Sequence, residues 1–395
     1  MKVRPPVVPA FTGPVFAFML SVAGIAVGVV AFAADAQAQA IKIGSFLSVT
    51  GGASFLGDPE KKTLELEVEA INRQGGINGH KLDLVVYDDG GAADKAASFA
   101  KRLIESDQVD VLIGGSTTAT TMAAIPLAEK AGIPFVSLAG AVVIVDPVKH
   151  WVFKTPHTDR LAAEKIFEDL RKRGLTKLGL ISEDAGFGKS GHDQSLIVAK
   201  AFGIEIVADE VYSPRDPDTT AQLTKIRNTP GVAALFNFGF GQGPAVVTRN
   251  VRQLGITIPF YQSHGVASKE FIKLVGEAGE GIRLLGSALA VAEQLPAADP
   301  QRPVVLAFQR AYADAYQAEA STFAGYARDA LYMVAEAAGR AGGADKAKVR
   351  DQLELTKGFI GTTGIFTMSP ADHMGLSPAS FHLIEIRNGN WKLMD

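Results

Sequence analysis

Residues 113–121 read IGGSTTATT, which sets five hydroxyl side chains, Ser116, Thr117, Thr118, Thr120 and Thr121, directly behind two glycines and an apolar run. A nucleophilic serine, a cradle for phosphate and a trap for some other anion all fit such a cluster. The plainest alternative is a helix cap, which needs one hydroxyl. A second stretch, GFGKSG at 186–191, satisfies G-x-G-x-x-G and is followed eighteen residues later by Asp209. Glycines so spaced let a backbone approach a pyrophosphate at a helix N-terminus. Here Glu183 and Asp184 stand just before the first glycine, where two carboxylates repel a diphosphate. Glu183 also occupies the place where a Walker loop has its first glycine.

Other reaction chemistry finds little support. The chain has no cysteine, which excludes disulfides, thiolate metal sites and thiol nucleophiles. Its seven histidines, at 80, 150, 157, 192, 264, 373 and 382, never form an H-x-x-x-H pair, so no zinc helix is present. No G-x-S-x-G elbow occurs, and the pair Asp88 and Asp89 reads as a cap for the helix that follows. The expectation is a binding protein that is not an enzyme and uses no cofactor or metal.

The elements that must position the hydroxyl cluster come from an alternation of β-type runs and helical stretches. Strand patterns lie at 41–47, 82–88, 109–115, 133–139, 177–182, 204–212, 233–238, 258–262 and 282–287. The runs at 109–115, 133–139 and 233–238 are apolar on both faces, as buried parallel strands are. Strands separated by single helices imply parallel sheets, and nine are too many for one small sheet. The chain is expected to break near Pro156 and again after Ser287, where the strand rhythm gives way to helices at 301–319, 321–340 and 345–355. The last segment reads as strands around a turn at RNGN. The hydroxyl cluster then sits at the carboxyl edge of a parallel strand, before a helix whose free N–H groups favour an anion.

At 395 residues and a net charge of −3, the chain is long enough for two domains and too near neutral to suggest nucleic acid. Lys2 and Arg4, an apolar run at 15–34 and small residues Ala38 and Ala40 read as a secretory signal peptide spanning 1–40. The alternative is an uncleaved anchor, because twenty apolar residues can span a bilayer.

INRQGGINGHKLDLVVYDD (71–89) resembles the N-x-x-GGI-x-G-x-x-L signature of periplasmic leucine/isoleucine/valine-binding proteins. TGGASFLG (50–57), AGIPFVSLAGA (131–141), DAGFGKSG (184–191) and GTTGIFTMSPADHMG (361–375) resemble further landmarks in the same order. The resemblance implies an α/β fold of two doubly wound parallel-sheet lobes joined by three hinge crossovers, the type I periplasmic-binding fold. Lobe 1 would comprise 41–155 plus 288–357, and lobe 2 would comprise 156–287 plus 358–395. It implies a periplasmic receptor of an ABC importer, a monomer with a membrane permease as partner, that binds a small hydrophobic amino acid or a related apolar or aromatic carboxylate.

Residue by residue, the resemblance puts the carboxylate-binding hydroxyl at Thr118, beside Thr117, with Ala139, Gly140 and Ala141 as the second wall. Where the family often has a threonine this chain has Ala141, and where tyrosines are common it has Phe187, Phe240 and Leu56. The acidic residue that pairs with an amino acid's ammonium falls on His264. Two other readings remain open: a ligand-sensing ectodomain signalling to a membrane partner, and an exported dinucleotide-using enzyme.

Overall fold

The computed structural model describes residues 39–394, so the expected signal segment lies outside the described residues up to position 38. β1 (Ile41–Leu47), α1 (Ser54–Arg73), β2 (Leu82–Asp88), α2 (Ala93–Glu105), β3 (Val111–Gly114), α3 (Thr118–Ala131), β4 (Phe135–Ser137) and β5 (Val152–Lys154) come first. Their strands make a five-stranded parallel sheet in the order β2-β1-β3-β4-β5. A second series follows: α4 (Asp159–Lys172), β6 (Lys177–Glu183), α5 (Gly186–Ala199), β7 (Glu205–Tyr212), α6 (Thr220–Asn228), β8 (Ala234–Phe238), α7 (Gly243–Gln253), β9 (Phe260–Gln262), α8 (Lys269–Val275) and β10 (Arg283–Gly286). Next are α9 (Arg302–Tyr316), α10 (Thr322–Ala341), α11 (Lys346–Glu354), the hairpin β11 (Lys357–Ile360) with β12 (Ile365–Thr367), and finally β13 (His382–Arg387) and β14 (Asn390–Leu393).

The second sheet has seven strands in the order β14-β13-β10-β9-β8-β6-β7. It is parallel except at one edge, where β13 runs against β10 and β14 against β13. β13 and β14 are joined by the RNGN turn, in which Asn388 and Gly389 both adopt positive φ, 51° and 68°. Two consecutive left-handed residues match the twist of a tight hairpin. The chain crosses between the sheets three times: after β5, after β10, where α10 returns to pack on α1 and β3, and after α11 on the way to β13.

β3 and β4 keep only the centres of the longer apolar runs, four and three residues, all buried. Gly115 ends β3 by turning at φ +70°, where a Cβ would strike Thr121 Oγ1 at 2.3 Å. That turn delivers residues 116–118 to the carboxyl edge of the sheet. Phe46, Phe135 and Phe153 are fully buried beneath it, each contributing roughly 1.5–3 kcal/mol, so the loop stands on a packed base.

Candidate functional site

Four of the five hydroxyls of the cluster do three jobs. Ser116 Oγ accepts from the Ser48 amide at 3.0 Å and donates to the buried Glu60 carboxyl. Thr117 is the N-cap of α3; its Oγ1 accepts from the Thr120 amide at 3.2 Å, while Thr120 Oγ1 accepts from the Thr117 amide at 3.1 Å. Thr121 Oγ1 donates to the Gly115 carbonyl at 2.9 Å and lies 2.9 Å from Ser137 Oγ. Thr118 is left over. Its hydroxyl is buried without a hydrogen-bond partner, in the first turn of α3, where free N–H groups and the helix dipole favour an anion. Capping and an open anion site are therefore both present, one threonine apart.

Thr118 faces a cavity of about 40 Å³. From the first sheet's side its walls are Leu56 on α1, Ser116, Thr117, Leu138 and Gly140, with Phe323 and Tyr326 on α10. From the second come Phe187 at the start of α5, Phe240 beyond β8, and His264 and Gly265 beyond β9. The rings of Phe187 and His264 meet edge to face at 5.1 Å, and Phe187 and Phe240 at 6.3 Å. Gly140 is the close point between the two sides. A Cβ there would lie 2.8 Å from Phe187 Cε2 and 3.2 Å from His264 Nε2. Of the residues singled out from sequence, Thr118, Thr117, Gly140, Phe187, Phe240, His264 and Leu56 share this cavity, whereas Ala139 and Ala141 are buried beside it. Thr117 reaches the cavity with its hydroxyl already engaged as the cap.

The cavity is apolar with isolated polar atoms. Among the described residues that line it, none is acidic. Three lining side chains carry buried polar atoms with no normal hydrogen bond: Thr118 Oγ1, the Tyr326 hydroxyl and both ring nitrogens of His264. Buried atoms of this kind cost roughly 1–3 kcal/mol each when left unpaired, so they mark where a solute has polar groups to match. Burial, and next the charge of Lys154, push the His264 pKa down to about 3, with the nearby His157 carbonyl opposing. His264 is therefore neutral and offers one donor and one acceptor. Burial raises the Tyr326 hydroxyl as well, so it stays a donor.

Glu183 stands behind Phe240, accepting its amide at 3.3 Å, and burial lifts its carboxyl to about 7. The G-x-G-x-x-G glycines serve packing. A Cβ on Gly188 would meet the Glu183 carbonyl at 2.6 Å, and one on Gly191 would meet the Phe238 ring at 2.0 Å. They let α5 lie close on β6 and β8. Phe323, Tyr326, Leu138 and Pro156 were not foreseen. Phe323 and Tyr326 look in sequence like the buried face of any helix, and only the chain's return from the second sheet brings them to the cavity.

The periplasmic binding protein family model matches residues 40–390. The leucine-, isoleucine-, valine-, threonine- and alanine-binding protein of Pseudomonas aeruginosa is 26% identical over 318 residues, 80% of this chain and 82% of its own. An extracellular ligand-binding receptor from Rhodopseudomonas palustris superposes with a TM-score of 0.84 at 33% identity, covering 90% of this chain and 99% of that one. The branched-chain amino acid transporter substrate-binding protein of Streptococcus pneumoniae, solved with isoleucine, gives 0.79 at 26% identity, with 90% and 99% covered.

Proposed function

The chain belongs to the periplasmic binding protein family, solute receptors rather than enzymes, and from that premise we propose that it serves an ABC importer by carrying a small apolar carboxylate without an α-ammonium group. The observation that carries the reading is the polar inventory of the cavity. One unpaired hydroxyl, Thr118, stands at a helix N-terminus, and no acidic side chain lines the walls. An α-amino acid brings an ammonium as well as a carboxylate. Burying that ammonium opposite a neutral His264 leaves it uncompensated, at a cost of several kcal/mol. A deaminated or aromatic acid avoids the cost and fills the Phe187, Phe240 and Phe323 surfaces. The Pseudomonas relative binds amino acids by name, whereas the sequence resemblance puts Leu56, Phe187, Phe240 and His264 here where the family has tyrosines and an acid.

The site residues would be Thr118 and the Gly140 wall for the carboxylate, with Leu56, Phe187, Phe240 and His264 around the remainder. At about 40 Å³ the cavity has room for only a few water molecules, so a solute enters only if the two sides part. Opening and closing between two lobes, 41–155 plus 288–357 and 156–287 plus 358–395, supplies that movement. A thermal-shift screen of leucine, isoleucine and valine against 4-methyl-2-oxopentanoate and 3-phenylpropanoate tests the reading, because a ligand that prefers the native state raises the melting temperature. Stabilisation by the acids and not by the amino acids is expected; the opposite ranking overturns it.

A further inference from the structure

Lys154, the last residue of β5, is fully buried and is not among the residues that line the solute cavity. Its Nζ donates to the Gly140 carbonyl at 2.8 Å, with the Ala141 and His157 carbonyls at 3.5 and 3.4 Å. Gly140 is the wall of the solute cavity, so the ammonium stands one peptide group behind it. The Gly140 and Ala141 amides meet no acceptor among the described residues. Pulling on the Gly140 oxygen polarises the peptide that ends in the Ala141 N–H, which strengthens that N–H as a donor. The carboxylate whose charge acts on Lys154, Asp159, is buried and already accepts the Val142 and Arg160 amides at 3.0 and 2.8 Å.

We propose that Lys154 is the electrostatic selector of this site: a positioning residue whose buried charge, acting through the Gly140–Ala141 peptide, favours a carboxylate and rejects a cationic group at the His264 end. The inference rests on the carboxylate reading above and names what enforces it. The same charge reaches His264, whose protonation it opposes. A solute ammonium at that place would meet the same repulsion. The groups around Lys154 that carry or could carry charge are Asp159 at the start of α4, His157 in the crossover and His264 beyond β9; β4 and the turn after it present backbone and uncharged side chains. Burial holds His157 well below its ordinary value and raises Asp159.

Burial also lowers Lys154 to about 7, with Asp159 opposing. The signs then fix the pH behaviour. Free protein loses the Lys154 proton as pH rises through about 7, and a bound anion holds that proton to higher pH. If the charge is worth about tenfold in affinity, the bound value sits about one unit higher. At pH 7.5 the protonated fraction then goes from roughly one quarter to three quarters, so about half a proton is taken up per ligand.

Calorimetry with 3-phenylpropanoate at pH 7.5, in two buffers of different ionisation enthalpy, reads that uptake in the wild-type chain without any substitution. Lys154→Met should abolish the uptake. It should also weaken 3-phenylpropanoate by about tenfold at pH 6 and much less at pH 9, while neutral 3-phenylpropanamide is little affected. Tight binding with no proton uptake overturns the role of Lys154 and leaves the carboxylate reading standing. Uptake that persists in Lys154→Met places the titrating charge elsewhere, with Glu183 the group of similar pKa, and also overturns it. Failure of 3-phenylpropanoate to bind while leucine binds overturns both.

Discussion

Replacing Gly140 by alanine adds one methyl group at the point where the two sides of the cavity come closest. No positive φ is required of Gly140, so alanine fits its backbone. The new carbon would lie 2.8 Å from Phe187 Cε2, 3.3 Å from Phe187 Cδ2 and 3.2 Å from His264 Nε2. Carbon atoms rest about 3.5–4.0 Å apart, so the Phe187 ring has to retreat by roughly 0.7–1.2 Å. Overpacking of that size costs about 1–3 kcal/mol, a loss of roughly 5- to 150-fold in affinity. Phe187 and His264 both approach from the second sheet's side, so opening the cavity relieves the contact. The cost therefore falls on the closed, liganded form. Titration calorimetry should show the loss, with the melting temperature of the free protein unchanged. Unchanged affinity would mean that Phe187 and His264 do not close on Gly140. An equal loss of stability in the free protein would mean that this interface is permanently shut.

Thr118→Ala removes the one hydroxyl of the cluster that has no structural duty. It should weaken the acid by on the order of 1–3 kcal/mol, the range for a hydrogen bond to a charged group, and leave the free protein's stability alone; unchanged affinity would leave the cluster with capping alone. Glu183 gives a pH signature. Its carboxyl is raised from 4.5 to about 7 by burial, so between those values the folded chain holds more protons than the unfolded one, and stability falls as pH rises across that window. Glu183→Gln should remove the fall, gaining on the order of 1–3 kcal/mol at pH 8 and little at pH 4.5; equal pH slopes in urea melts of the two proteins would refute it. Small-angle scattering should give a smaller radius of gyration with 3-phenylpropanoate than without, and superimposable curves at saturation would count against closure.

Alternating β and helical patterns were enough to read the fold class, because a buried parallel strand leaves a compact apolar run. β1 and β2 begin and end where the pattern does. β3 and β4 are shorter than their runs: each begins two residues late, and Gly115 and the loop after Ser137 then turn the chain out of the sheet. The hairpin strand β11 was missed, for KGFI is short, mostly exposed and interrupted by a glycine at φ +64°.

The site was legible where local sequence sets geometry and illegible where tertiary structure does. A hydroxyl cluster behind a strand announces a helix N-terminus, but which hydroxyls are engaged beyond the cap depends on Ser48 and Glu60 at Ser116 and on Ser137 at Thr121, all outside the cluster. Tyr326 arrives on α10 from well over a hundred residues away, and nothing in TFAGYARD distinguishes its hydroxyl from a core tyrosine's. Nothing in the sequence marks Lys154; its contact with the Gly140 carbonyl, fourteen positions earlier, exists only in the fold.

Protein freed of bound solute by unfolding and refolding, then titrated calorimetrically with leucine and with 4-methyl-2-oxopentanoate at pH 6.5, decides whether the cavity prefers a solute without the ammonium. The two solutes share a carbon skeleton and differ only in the group on the α carbon. The oxo acid should bind at least about tenfold tighter, since about 1.4 kcal/mol is less than an unpaired buried ammonium costs. Leucine binding as tightly as the oxo acid would contradict it and place an acidic partner for the ammonium within the closed cavity.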